Sequence, residues 1–293
     1  MWTDSIAFEK LGVRIGIRAD SPELMELATS RIPPGSIPLA SDRIDVLFSM
    51  TGGGAARKGV RRFALLYEGI STQLRTLDRE ALADGLDSAL HVALAERATE
   101  WAFVHAGVVG WRGRAIVLPG ATLSGKTTLV AALLGAGAEF YSDDRAVIDR
   151  HGLVHPHPKP LSIRDSPGAR QRPFTAASFG AETGARPLPV GLLVFTNFRE
   201  GASWTPRAIS AGQAMLALLE HSSAVRTRPH AVLQLLGRTL AGVPAYRSPR
   251  GDATATAERL LAFIDADSFD TQERQSSPTD DVLAGMGIQV DGE

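Results

Sequence analysis

Apolar and polar residues alternate over 13–17, the two-residue period of a half-buried strand. Ser21-Pro22-Glu23 follows as a helix opening. The serine can accept at the N-cap, proline fits the first turn, and an acid suits the positive end of the helix. Pro33-Pro34-Gly35 closes that segment. Residues 44–48 and 63–67 read as further strands. Asp78 starts a long helix whose Leu82, Leu86, Leu90 and Leu94 recur every fourth residue, a single apolar stripe. Together the first hundred residues predict a small α+β unit, with no internal repeat.

The pattern changes near Trp101. Residues 103–109 are strand-like, Gly110-Trp111-Arg112-Gly113 is a turn, and 115–118 form a second strand. A glycine-rich loop leads into a short helix carrying Leu129, Leu133 and Leu134, which Gly135 and Gly137 can end without the left-handed penalty. Short strands at 139–142 and 146–149 flank Asp143-Asp144, and Pro156, Pro158 and Pro160 punctuate the loop that follows. A buried strand at 192–195, helices at 211–220 and 229–240, a strand at 245–247 and a helix near 254–264 complete the reading. Strands alternating with helices predict α/β layering.

Composition narrows the classes. The chain has 293 residues, 44% of them hydrophobic, enough for a substantial core and too many for a wholly disordered chain. A formal net charge of -1 argues against a basic nucleic-acid binder. With no cysteine there is no disulfide scaffold, thiolate metal site or cysteine nucleophile. No apolar run reaches the roughly 18–20 residues of a membrane span. The start, Met1-Trp2-Thr3-Asp4, lacks the order of a secretory signal, so a cytoplasmic protein is expected. Residues 268–293 carry Asp270, Glu273, Asp280, Asp281, Asp291 and Glu293 against Arg274 alone, and read as a flexible acidic tail. Expected units are therefore 1–98 (α+β, acceptor positioning or assembly), 99–267 (nucleotide-binding and catalytic) and 268–293 (tail). Arg57, Lys58, Arg61 and Arg62 are read as a solvated basic turn.

Gly120-Ala121-Thr122-Leu123-Ser124-Gly125-Lys126-Thr127 fits G-x-x-x-x-G-K-[ST] at every fixed position, between an apolar strand and a helix. Glycines let the backbone wrap a phosphate and aim its N–H groups inward. Lys126 supplies a mobile charge, Thr127 a hydroxyl for Mg²⁺, and the helix a positive end. Residues 120–128, through Thr128, are thus the expected nucleotide contacts. No Asn-Lys-x-Asp tetrad for reading guanine is present. Asp143 and Asp144 lie where one carboxylate can hold Mg²⁺ and the other can orient or deprotonate a hydroxyl. Lys159 and Arg164 can bridge phosphates or steady the transferring group, with a structural loop bearing surface charges as the alternative; Ser124 and Arg145 are second-rank contacts. His151, His155 and His157 invite a zinc reading, weakened by the extended His-Pro-His geometry and the lack of a fourth ligand.

In order, Val104-His105-Ala106-Gly107-Val108-Val109, the 120–127 loop and Tyr141-Ser142-Asp143-Asp144 resemble the catalytic core of the HPr kinase/phosphorylase family. The resemblance covers about 101–164. It implies an α/β fold with a P-loop kinase core of the HPr kinase/phosphoenolpyruvate carboxykinase-like type behind a small N-terminal α+β unit. It also implies ATP and Mg²⁺ as cofactors. Lys126 and Thr127 match the residues holding phosphate and metal, Asp143 the acid that takes the serine proton, and Asp144 its metal-supporting neighbour. His105 matches the histidine near the phosphates. Base and metal roles are exchangeable between the two acids at this point. The whole-chain pattern more closely resembles stand-alone HPr-kinase-like proteins, some of which phosphorylate a serine of a precursor peptide. The implied function is a serine kinase acting on a protein or peptide. A small-molecule hydroxyl kinase and a non-catalytic ATP-sensing partner protein stand as alternatives. Expected partners are ATP and a serine-bearing protein or peptide, with no nucleic acid and no membrane; assembly as a homo-oligomer stays open.

Overall fold

A computed structural model describes residues 2–40, 43–52, 63–121, 124–163 and 172–275, with side chains of the last helix to 266. The expected basic turn at Arg57–Arg62, Thr122, Leu123, Arg164 and most of the acidic tail lie outside the described residues. The fold is mixed α/β.

The first sheet comprises β1 (Asp4–Lys10), β2 (Val13–Ala19), β3 (Ile37–Pro38), β4 (Val46–Thr51), β5 (Ala64–Glu68) and β6 (Ser71–Thr76), in the order β3-β1-β2-β4-β5-β6. Helices α1 (Pro22–Thr29) and α2 (Arg79–Arg97) cover it. Ser21 caps α1 by accepting from the Leu24 N–H, and Asp78 caps α2 by accepting from Glu80. The α2 stripe is fully buried: Leu82, Leu86 and Leu90 are 0% exposed and Leu94 is 1% exposed. Each such leucine contributes roughly 1.5–3 kcal/mol of burial.

The chain continues through β7 (Ala102–Trp111), β8 (Arg114–Pro119), α3 (Lys126–Gly135), β9 (Glu139–Ser142), β10 (Arg145–Ile148) and β11 (Leu153–His155). Next come β12 (Leu161–Ile163) and β13 (Arg172–Phe174), a separate pair, then β14 (Leu188–Phe198), β15 (Arg207–Ala208), α4 (Ala211–Glu220), α5 (Pro229–Thr239), β16 (Ala245–Arg250) and α6 (Ala253–Gln275). The second sheet runs β11-β10-β7-β8-β14-β16-β15, with β9 also paired to β7. Strand β8 is parallel to β14, and β14 to β16, so the three end at one edge. One face packs against α4 and α5 through Leu218, Val232 and Leu236. The other packs against α3 and α6 through Leu129, Val130, Leu133 and Leu260. Helix α3 packs closely on Gly107 of β7, where a Cβ would stand 2.6 Å from a Val130 methyl.

The structure departs from the sequence expectations at several points: strands β3, β6, β11, β12, β13 and β15 were not expected, and β7 continues through Gly110 and Trp111, expected as a turn. Strand β1 was not expected; it forms a hairpin with β2 across Leu11-Gly12, both at positive φ. Helix α6 runs past Ser268 to Gln275, beyond the expected helix end near 264. As the sequence predicts, α3 ends at glycines: Gly135 is its last residue and Gly137 at φ +99 turns the chain out of it.

Candidate functional site

The edge where β8 ends is the start of α3, and the loop between them holds the 120–125 stretch. Gly125 is the α3 N-cap at φ +85, a conformation that costs other residues roughly 1–2 kcal/mol. Lys126 points back under the loop and is only 6% exposed. Its Nζ donates to the Gly120 carbonyl at 2.8 Å and the Ala121 carbonyl at 2.7 Å. Its third contact is His105 Nε2 at 3.2 Å. An ammonium has no acceptor, so His105 Nε2 must accept. The ring proton therefore sits on Nδ1, which faces Asp144 Oδ1 at 3.1 Å. Lys126, His105 and Asp144 form one hydrogen-bonded chain with its polarity fixed.

The acid pair fills the turn between β9 and β10. Ser142 Oγ accepts from the N–H groups of Asp144 (3.3 Å) and Arg145 (3.0 Å), which shapes that turn. The Asp144 carbonyl accepts from Ala106 N, and Arg145 stands opposite His105 in the β10–β7 register. Thus β7 carries the histidine and holds the acids beside it. Arg145 Nε donates to Asp144 Oδ2 at 3.2 Å.

The two acids are shifted in opposite directions. Burial raises Asp143, and the neighbouring Asp144 charge adds to the rise; the Thr127 hydroxyl bond and the Lys126 charge oppose it without cancelling it. Burial also acts to raise Asp144. There the His105 hydrogen bond and the Arg145 charge win and hold the carboxyl below its usual range. Burial lowers Lys126, against the pull of both acids.

Most expected residues converge on this edge: Gly120, Ala121, Ser124, Gly125, Lys126, Thr127, Thr128, Asp143, Asp144, His105 and Arg145. Thr127 is bonded to Asp143, so the hydroxyl expected to hold metal lies beside that acid. Lys159 turns elsewhere and pairs with Asp87 of α2 at 2.7 Å. The three histidines of the zinc reading have separate partners. His151 meets Arg150, His155 meets Asp149 at 2.8 Å, and His157 meets His91 at 3.3 Å.

Arg250 was missed by the sequence reading. It ends β16, is 2% exposed, and donates from Nη2 to the Gly125 carbonyl at 2.7 Å. A Cβ on Gly125 would stand 2.2 Å from that nitrogen, a second reason for glycine there. Nothing local marks Arg250; it lies 125 positions from Gly125. Its Nε, Ser124 Oγ and Thr196 Oγ1 are buried without a hydrogen-bond partner among the described residues. Such groups are costly unless something polar meets them.

The donor set suits a hard cation. Thr127, Asp143 and Asp144 offer oxygen only, as Mg²⁺ prefers, with waters and phosphates completing its shell. No group of three or more His, Cys, Asp or Glu residues that could hold a metal occurs among the described residues.

No protein-family profile matches the chain, and no curated protein matches it. Among solved structures it is similar to the HPr(Ser) kinase/phosphatase from Coxiella burnetii, at 11% identity over 60% of this chain and 99% of that one, with a TM-score of 0.29. A superposition this loose bears no weight for fold or chemistry. No described helix is long and apolar enough to cross a membrane.

Proposed function

We propose that the protein is an ATP- and Mg²⁺-dependent kinase that transfers the γ-phosphate to a serine hydroxyl of a protein or peptide. The observation that carries this reading is the contiguity of Lys126, His105 and Asp144 with Asp143 and Thr127 at the start of α3. Nucleotide binding alone calls for the loop and its lysine. The half-buried acid pair adds a proton acceptor and a cation-holding charge.

The division of labour follows the protonation tendencies. Asp143, raised by burial, is the base that orients the serine hydroxyl and takes its proton. Asp144 stays ionised and holds the metal with Thr127. Thr127 can keep its hydrogen on Asp143 while its oxygen lone pairs face the cation. Bound Mg²⁺ supplies charge neutralisation across the phosphates. Lys126 and the α3 N-terminus bind and orient the same oxygens, and Arg250 braces the loop through Gly125. His105 ties Asp144 to Lys126 and fixes both side chains.

Single-turnover transfer of labelled γ-phosphate from ATP to serine-bearing peptides and proteins tests the reading. Wild type should label an acceptor serine, and Lys126→Ala should lose both ATP binding and transfer while staying folded. Wild-type affinity and transfer in a folded Lys126→Ala protein would overturn it.

A further inference from the structure

We infer that Phe198 is the stacking platform for the purine base of the nucleotide, an inference that rests on the phosphate-binding reading of the 120–127 loop. Phe198 is the last residue of β14, and 57% of it is exposed. Isolated exposed apolar side chains are ordinary, so exposure alone says little. Position says more. In the β14–β8 register Leu193 lies opposite Val117, which places Phe198 beyond the end of β8 and level with the loop. Leu192 and Val194 face α3 and α6. Alternation along the strand puts Thr196 and Phe198 on that same face. The Phe198 Cβ would lie 3.6 Å from a Cβ on Gly125, so the side chain leaves the strand beside the α3 N-cap.

One flank of the ring is already occupied. Phe198 lies opposite Arg250 in the parallel β14–β16 pair, and the Arg250 guanidinium carbon is 5.4 Å from the ring centroid. That guanidinium is fixed on its other side by the Gly125 carbonyl. The arginine therefore sits between loop and ring, and more than half of Phe198 is left exposed. A polyphosphate held at the α3 N-terminus carries its planar base one sugar away. An exposed aromatic face next to that terminus gives the base a surface with little conformational freedom to lose, and stacking is tolerant of which base arrives. Phe198 would then contribute to nucleotide affinity and not to phosphate affinity.

Calorimetric titration of the full chain with ATP and with inorganic tripolyphosphate, both with Mg²⁺, separates the two contributions. Phe198→Leu keeps an apolar cover over Arg250 but removes the ring; Phe198→Trp keeps a ring. The expected result is ATP binding weakened by about five- to a hundredfold in the Leu variant, with tripolyphosphate affinity unchanged and the Trp variant close to wild type. Unchanged ATP affinity in a folded Leu variant would overturn the inference. So would parallel loss of ATP and tripolyphosphate, which would make Phe198 a brace for Arg250. Equal affinity of the wild type for ATP and tripolyphosphate would overturn it while sparing the phosphate loop. If the wild type binds neither, the phosphate-binding reading falls and this inference with it.

Discussion

Asp143 and Asp144 are adjacent in the chain, yet burial wins at one and neighbouring charges win at the other. A base must be ionised to take a proton, so the rate should rise with pH as Asp143 loses its own. Because its pKa is raised, that acid limb should fall above the range of an ordinary aspartate. In Asp143→Asn transfer should drop by roughly 10²–10⁴-fold and the limb should vanish from the kcat/KM profile, measured with one acceptor peptide. An unchanged limb in the variant would show that another group titrates. Asp144→Asn should act differently. It frees His105 and Arg145 from their shared carboxylate, so the Mg²⁺ requirement should shift and high Mg²⁺ should restore part of the rate. At this scale the sequence was informative wherever spacing is the signal. The loop glycines, Lys126 and the acid pair are each local, and His105 came through its order relative to them. Arg250 was hidden because its partner, Gly125, is distant in the chain.

The elements show why some local signals misled. A two-residue hairpin turn of type I′ needs positive φ at both positions, which Asn-Gly or Gly-Gly advertises. Here Leu11 takes φ 55 ahead of Gly12, so the turn carried no conventional signal and β1 was overlooked. Acidic composition suggested a tail from Ser268, but 265–275 contains no glycine or proline, and the first breaker is Pro278. The helix accordingly runs on to Gln275. Helices α1 and α2 were legible because Ser21 and Asp78 stand directly before them. The α3 N-terminus makes its own prediction. Gly125→Ala must hold a positive φ, worth roughly 1–2 kcal/mol, and must push Arg250 off the Gly125 carbonyl. A modest fall in thermal stability with a larger loss of ATP affinity is expected. Wild-type ATP affinity in the variant would mean that Arg250 does not brace the loop.

At the scale of the whole molecule, the two sheets share more than a covalent link. The apolar core beneath the first sheet takes in Phe103 of β7 and Val147 of β10. His91 of α2 donates from Nδ1 to the Asp87 carbonyl, so its Nε2 accepts from His157 at 3.3 Å. Lys159 pairs with Asp87, and Arg228 donates to the Ala95 carbonyl. A fragment of 99–293 should therefore expose apolar surface and leave His157 and Lys159 unpaired, giving a lower unfolding midpoint or aggregation in a thermal scan. A fragment as stable as the full chain would contradict this. Burial, with the Arg145 and Lys159 charges, holds both buried histidines below the ordinary range. The unfolded chain then binds more protons than the folded one. Stability from this pair is complete above pH ~6.5 and drains away as pH falls below it. Denaturant titrations of wild type and His157→Gln between neutral and mildly acidic pH should show a shallower decline in the variant. Lys126, finally, has a thermodynamic consequence. All three of its hydrogens are engaged before any ligand arrives, by two carbonyls and an imidazole. An incoming phosphate does not find a free cation; it evicts neighbours. Each new hydrogen bond at that nitrogen replaces an old one, so the exchange releases little heat. A lone phosphate ion thus gains less by entering than a bare ammonium would give it, whereas a longer polyphosphate can reach several donors at once.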